Sequence, residues 1–220
     1  MAMQIPENWN FKNKSVADNF DNHVAEQLPW YHIAQSMAAH LLRSYLGSES
    51  VLLDIGCSTG GITKALQKTL SDRGCYALSL DNSQEMIDNF DGYGEAICCD
   101  AMSNESIVEF DACCVFLTLM FLPVKDRFDF IIKLIDKANK GGIIVIVDKL
   151  EQMEGYLGTS ISRMTLSNKL EAGADPKEIL EKELSLCGAQ RPIDADFLEN
   201  LGFIKWFQAG DFAGWAYEKR

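Results

Sequence analysis

Histidine occurs only three times in the 220 residues, and no Cys-x-x-Cys spacing accompanies it, so the ligand pattern of a structural zinc site is missing. The seven cysteines are an odd number, and Cys98–Cys99 and Cys113–Cys114 are neighbours inside apolar runs. Adjacent strand residues point to opposite faces, so neither pair makes an easy disulfide or supplies two ligands to one metal. Reduced, buried thiols of a cytoplasmic protein are the expectation. No apolar run reaches the roughly 18–20 residues that span a bilayer. The polar start from Met1 to Lys14, with Pro6, Asn8 and Asn10, has no apolar signal core. Basic residues are few, 20 against 32 acidic, for a net charge of −12. A surface this acidic repels phosphate backbones and disfavours broad nucleic-acid binding. Internal repeats and Pro/Gly linkers are absent too, so a single domain over residues 1–220 is expected.

Hydrophobic residues make up 47% of the chain, enough for a full core. Apolar residues recur at helical spacing from Ser15 to Leu46: Phe20, Val24 and Leu28, then Ile33, Met37, Leu41 and Tyr45, with Pro29 dividing two helices. Val51–Ile55 reads as a buried strand that ends in the turn Gly56-Cys57-Ser58-Thr59-Gly60-Gly61, and a helix follows with Ile62, Leu66 and Leu70 on one face. A second strand, Cys75–Leu80, leads to Asp81-Asn82-Ser83, where Ser83 suits a helix N-cap. Glu95–Cys99 is a third strand, Asp111–Leu119 a fourth and Ile143–Val147 a fifth, the last two separated by a helix carrying Phe128, Ile131, Ile132 and Ile135. Apolar strands alternating with helices predict an α/β fold with a parallel sheet covered on both faces. Residues 151–200 read as a helical insert, and Phe203–Phe207 with Phe212–Tyr217 as an antiparallel hairpin.

The chemistry gathers at the strand ends. Gly56 and Gly60 let a ligand approach the backbone, and Asp54, Asp81 and Asp100 fall at the ends of strands one, two and three. Those carboxyl ends share one crevice in an open α/β sheet. Asp81 is placed to accept from a ribose diol, Asp100 and the Ala101 backbone to meet an adenine edge, and Asp54 to hold an ammonium. The turn is G-x-x-x-G-G, not the G-x-G-x-x-G of dinucleotide sites, and no phosphate loop occurs. An aspartate just before the turn suits an ammonium better than a pyrophosphate. S-adenosyl-L-methionine, an adenosine with an amino-acid end and no phosphate, matches this set better than NAD.

The segments D-I-G-C-S-T-G, L-D-N-S-Q-E-M-I and L-T-L-M-F-L-P resemble the class I S-adenosylmethionine-dependent methyltransferases. That likeness implies a Rossmann-like, mostly parallel seven-stranded sheet closed by the C-terminal hairpin, with helices from about 11–46 and 151–200 as a lid. Within the superfamily, F-D-N-H-V-A-E-Q, G-G-I-I-V-I-V-D-K-L and L-G-F-I-K-W-F-Q-A-G-D-F are similar to carboxy-S-adenosylmethionine synthases of tRNA wobble-uridine modification. The resemblance implies cofactor contacts at Tyr31, Gly56, Cys57, Ser58, Asp81, Asn82, Asp100 and Ala101, and a homodimer. Two departures stand out. Phe116-Leu117 replaces an asparagine of the synthase motif, and Glu183 aligns with the arginine that holds the extra carboxylate of the synthase product, with Lys182 or Arg191 as alternative cations. A methyltransferase with an unidentified acceptor is therefore preferred. A synthase using prephenate and making the carboxy derivative, or a non-catalytic cofactor-binding protein, are the alternatives.

Methyl transfer needs alignment more than acid–base help. His32, Tyr31 and Asp148 are candidates for the catalytic group, with His23 read as structural and Asp148 as half of a solvated pair with Lys149. Trp206, Phe207, Phe212 and Trp215 are expected to cover the sheet edge or a dimer surface. Met120-Phe121-Leu122-Pro123 stands in place of the Asp/Asn-Pro-Pro-aromatic loop of amino-methylating nucleic-acid enzymes, and no Pro-Cys pair exists, which disfavours both standard base-methylation routes.

Overall fold

The computed structural model describes residues 10–103, 106–151, 154–194 and 196–220; Pro6 and Asn8 of the polar start lie outside them. Three short helices lead: α1 (Lys14–Asp18), α2 (Phe20–Gln27) and α3 (Tyr31–Tyr45). Then follow β1 (Val51–Ile55), α4 (Gly61–Arg73), β2 (Tyr76–Asp81), α5 (Gln84–Asp88), β3 (Glu95–Cys98), β4 (Phe110–Phe116), α6 (Arg127–Lys137) and β5 (Ala138–Lys149). The chain continues through α7 (Gly155–Glu171), α8 (Pro176–Ser185) and α9 (Phe197–Asn200) to β6 (Ile204–Ala209) and β7 (Phe212–Glu218). The sheet has seven strands in the order β3-β2-β1-β4-β5-β7-β6, with β7 antiparallel to both neighbours and the other pairs parallel. No helix among the described residues is long and apolar enough to cross a membrane.

The unbroken apolar runs of β1, β4 and β5 follow from burial on both faces. Leu53, Ile55, Cys113, Val115, Ile144 and Ile146 pack on one side with Phe130, Ile131 and Leu134 of α6. Their alternate neighbours Leu52, Ala112, Cys114, Ile143, Val145 and Val147 pack on the other with α3 and α4. Ile62, Leu66 and Leu70 form the buried face of α4, as their spacing predicts, and the Ser83 hydroxyl accepts from the Met86 N–H as the N-cap of α5.

Several boundaries and faces differ from expectation. Asn19 makes a further break in the first helical segment, between α1 and α2. The inner face of α3 is Ala34, Ala38, Ala39 and Leu42, while Ile33 and Met37 are 61% and 40% exposed. Small side chains let this helix lie close on the sheet, so the large residues are turned outward. The face of α6 is likewise rotated, with Phe130 and Leu134 buried and Phe128 53% exposed. β4 stops at Phe116 because Leu117 turns into the left-handed region at φ 55°. β5 is longer than Ile143–Val147 because it pairs with β7 as far as Lys149 and with Phe110 of β4 at Ala138. In the hairpin, Trp215 is fully buried beneath the sheet and Trp206 and Phe207 pack on its other face. Phe212 and Trp215 are core, while Trp206 and Phe207 are half-buried and cover the edge strand of the sheet, as expected.

Candidate active site

The strand order reverses between β1 and β4, where β1 has β2 on one side and β4 on the other. Loops leaving the two strands diverge there, and a crevice opens at their carboxyl ends. A cavity of about 220 Å³ occupies that position. Tyr31, Asp54, Gly56, Cys57, Ser58, Asp81, Asn82, Asp100 and Ala101 all line it. Gly60, the remaining expected contact, is not in the lining. It caps α4 in a left-handed conformation at φ 90°, and a Cβ there would come within 2.7 Å of the Gly92 backbone nitrogen and 2.6 Å of the Phe90 ring. Gly60→Ala is therefore expected to lower stability by about 2–4 kcal/mol through backbone strain and overpacking. Urea unfolding measures this, and a change under about 0.5 kcal/mol would contradict it.

The carboxylates differ in their surroundings. Asp81 accepts from the Ser58 N–H and the Ser83 N–H, each at 2.9 Å, so it shapes the glycine loop and the start of α5 together. Burial pushes its carboxyl up, opposed by hydrogen bonds from Ser83, Ser58 and Asn82. Asp54 is 1% exposed, and its Oδ2 has no hydrogen-bond partner. Burial first, then the charge of Asp81, raise it to about 7. Asp100 accepts from the Met102 N–H at 2.9 Å and so holds the turn beyond β3 as well as lining the cavity.

Helices close the other side. Thr59 of the glycine loop donates to Asp21 of α2 at 2.6 Å, and the Ser83 hydroxyl donates to the Phe11 carbonyl at 2.8 Å. Tyr31 packs edge-on against Phe116, and Trp30 against Phe212, a lining residue. His23 and Gln27, one turn apart on α2, also line the cavity, and Gln27 is 2% exposed with its Oε1 lacking a partner. Lys149 of β5, Lys169 of α7 and Lys182 of α8 converge on the same end, around Glu183. Lys169 donates to Glu183 at 2.8 Å, and Lys182 Nζ lies 2.9 Å from His23 Nε2.

Comparison with known proteins agrees with this geometry. Residues 53–146 match the family model described as a methyltransferase domain. The chain is 25% identical over 220 residues to a carboxy-S-adenosyl-L-methionine synthase of Staphylococcus epidermidis, covering 95% of this chain and 96% of that one. In fold it is similar to the N-methyltransferase NodS from Bradyrhizobium japonicum, at TM-score 0.53, 14% identity and coverage of 87% and 97% of the two chains. It is also similar to the plantazolicin methyltransferase BpumL in complex with SAH, at TM-score 0.51, 16% identity and coverage of 96% and 91%. Residues 53–146 thus match a methyltransferase domain, and the fold is that of S-adenosylmethionine-dependent methyltransferases.

The residues present suit that cofactor. The orphaned carboxylate oxygen of Asp54 calls for a buried cation, and a Cβ at Gly56 (φ 69°) would collide with Thr118, so the loop's close approach to the crevice depends on glycine.

Two groups expected to be catalytic are elsewhere. His32 is exposed, edge-on to Tyr31, and outside the cavity lining. Asp148 is fully buried, not solvated, and accepts from the Leu119 N–H at 2.7 Å and the Lys149 N–H at 2.8 Å. Burial raises it to about 7 against those bonds and the nearby Arg127 charge, and its work is to hold the loop after β4. Lys149 instead lies 3.9 Å from Asp211.

The cations suggested as alternatives also separate. Lys182 lines the cavity, whereas Arg191 is exposed and outside it, its N–H donating to the Met120 carbonyl. His23, read as structural from the sequence, lines the cavity too. Its position four residues before Gln27 was the available signal, but a 3.6-residue spacing does not say which face meets a ligand.

Proposed function

We propose that this protein is a methyltransferase that holds S-adenosylmethionine across the ends of β1, β2 and β3 and transfers its methyl group to a small acceptor enclosed under α2, α7 and α8. The single observation that carries this reading is one continuous cavity. Its lining takes in the strand-end aspartates together with Phe20, Leu28 and Phe212 and with Lys149, Lys169 and Lys182. Asp81 would hold the ribose diol, Asp54 the ammonium, and Asp100 with the Ala101 backbone the adenine edge, while Tyr31 and Leu117 exclude water. When bound, the cofactor supplies an electrophilic methyl on a sulfonium with a neutral leaving group. The chain's part is to align an acceptor with it, and such positioning contributes about 7–11 kcal/mol.

A second reading has its own support: a synthase-like activity that makes the carboxy derivative from prephenate, feeding tRNA modification. Likeness to the named synthase runs the length of both chains. Glu183, which alone would repel a carboxylate, is bonded to Lys169 with Lys182 and Lys149 close by, so this end of the cavity favours anions after all. The reading also carries a cytoplasmic, dimeric protein working as one domain.

Mass spectrometry of small molecules released from the denatured protein separates these readings. Recovery of S-adenosylmethionine or its demethylated product is expected. A carboxylated sulfonium would instead select the second reading. Calorimetric titration showing no binding at millimolar S-adenosylmethionine would overturn both.

A further inference from the structure

Phe116, Leu117, Thr118, Met120, Phe121 and Leu122 line the cavity from the end of β4, and of these Thr118 alone has a polar side chain. Its Oγ1 lies 3.1 Å from the carbonyl oxygen of Phe116 and 3.3 Å from that of Ile55, the last residue of β1. A hydroxyl has one proton and two lone pairs. With the proton taken by either carbonyl, this oxygen has only acceptor capacity to offer a ligand. A Cβ on Gly56 would collide with the same oxygen, so the hydroxyl rests against the bare backbone of the glycine turn.

The loop also pins Thr118 from both sides. Leu117 is held in the left-handed region at φ 55°, with its N–H donating to the Val147 carbonyl at 2.7 Å. Leu119 donates its N–H to the buried carboxylate of Asp148 at 2.7 Å. A bulky residue at positive φ is strained, and such strain persists where the surroundings enforce it, commonly at functional sites.

We propose that Thr118 receives the sulfonium end of S-adenosylmethionine, its Oγ1 accepting weak C–H···O bonds from the methyl group and so setting the direction in which that methyl points. The inference rests on the reading of Asp54 as partner of the ammonium and Asp81 as partner of the ribose, and it deepens that reading. In the cofactor the sulfur stands between the amino-acid chain and the ribose. The glycine turn runs between the two carboxylates, since Ser58 of the turn donates to Asp81. The sulfur therefore falls beside this turn, and its third substituent, the methyl, faces the β4 loop that touches Gly56. A positive sulfur polarises the methyl C–H bonds, and a fixed oxygen with only lone pairs to offer meets them with the right sign. S-adenosylhomocysteine has neither the methyl nor the charge, so it gains nothing from this oxygen.

The test is titration of the full chain with S-adenosylmethionine and, separately, with S-adenosylhomocysteine. Thr118→Val keeps the branched shape and removes the oxygen. It should weaken S-adenosylmethionine about three- to tenfold more than S-adenosylhomocysteine. Loosening of the loop through the lost bond to Phe116 or Ile55 acts on both ligands and cancels in this ratio. Thr118→Ser keeps the hydroxyl and should hold the ratio within about twofold of wild type. Should Thr118→Val bind neither ligand, the wild-type protein decides: the methyl proton resonance of bound cofactor, labelled at that carbon, is expected downfield of its free position. An unchanged ratio in Thr118→Val, an equal fall in Thr118→Ser, or a methyl resonance that does not move downfield overturns the proposal. Wild-type protein that binds neither ligand would instead remove the cofactor reading, and this inference with it.

Discussion

Asp81→Ala is expected to weaken S-adenosylmethionine binding by at least about 100-fold, close to 3 kcal/mol. Asp81 stands at the end of β2 and faces the cavity, where a ribose diol would donate to its carboxylate. Charged hydrogen bonds of this kind contribute about 1.5–3 kcal/mol each. The same carboxylate accepts the Ser58 and Ser83 N–H groups, so alanine also loosens the loop that the cofactor must meet. The fold itself should change little, because burial already opposes the charged form of Asp81 and offsets part of what those bonds contribute. Isothermal titration gives the affinity, and thermal melting without ligand gives the stability. Unchanged affinity would remove Asp81 from the site. Asp81→Asn, which keeps one acceptor oxygen, should fall between the two.

Asp54→Asn should have opposite effects on stability and on binding. Asp54 is raised from the ordinary carboxylate range to about 7, by burial first and by Asp81 second. A carboxyl raised in the folded state binds its proton more tightly there than in the unfolded chain. Its contribution to stability is therefore lost as pH climbs from about 4 to 7, and the cost is complete above pH 7. At pH 8 the asparagine variant should consequently be more stable without ligand, by about 1–3 kcal/mol, or roughly 2–10 °C in melting temperature. Cofactor affinity should drop tenfold or more, since the ammonium loses its ionised partner. In the wild-type protein a bound ammonium favours ionised Asp54, so binding releases a proton below pH 7, and affinity rises as pH goes from about 5 to 7. A variant no more stable than wild type at pH 8 would show that Asp54 is not a strained, buried charge.

The alternation of apolar strands with amphipathic helices, the glycine turn and the strand-end aspartates are local facts. They gave the sheet, the position of its crevice and Asp54, Gly56, Asp81 and Asp100, which line the cavity there, before any contact was known. Spacing also located α4, because Ile62, Leu66 and Leu70 have only one face on which to be buried together. It misjudged α3 and α6, where two faces are apolar enough and only the neighbouring layer decides which turns inward. Chain order says nothing of how β5, α2, α7 and α8 approach one another. The meeting of His23, Lys149, Lys169 and Lys182, residues spread over 160 positions of sequence, and the burial that lowers Lys182, exist only once the lid helices have packed over the strand ends. Asp148 makes the same point in reverse: beside Lys149 in sequence it reads as a surface pair, yet strand pleating sends it into the core, where two backbone N–H groups take the place of water. Periodicity and turn chemistry are properties of neighbours along the chain, so the sequence by itself determined the fold and the strand-end lining of the cavity. Charge balance and burial are properties of neighbours in space, so only the tertiary structure decided which lid and β5 side chains complete that lining.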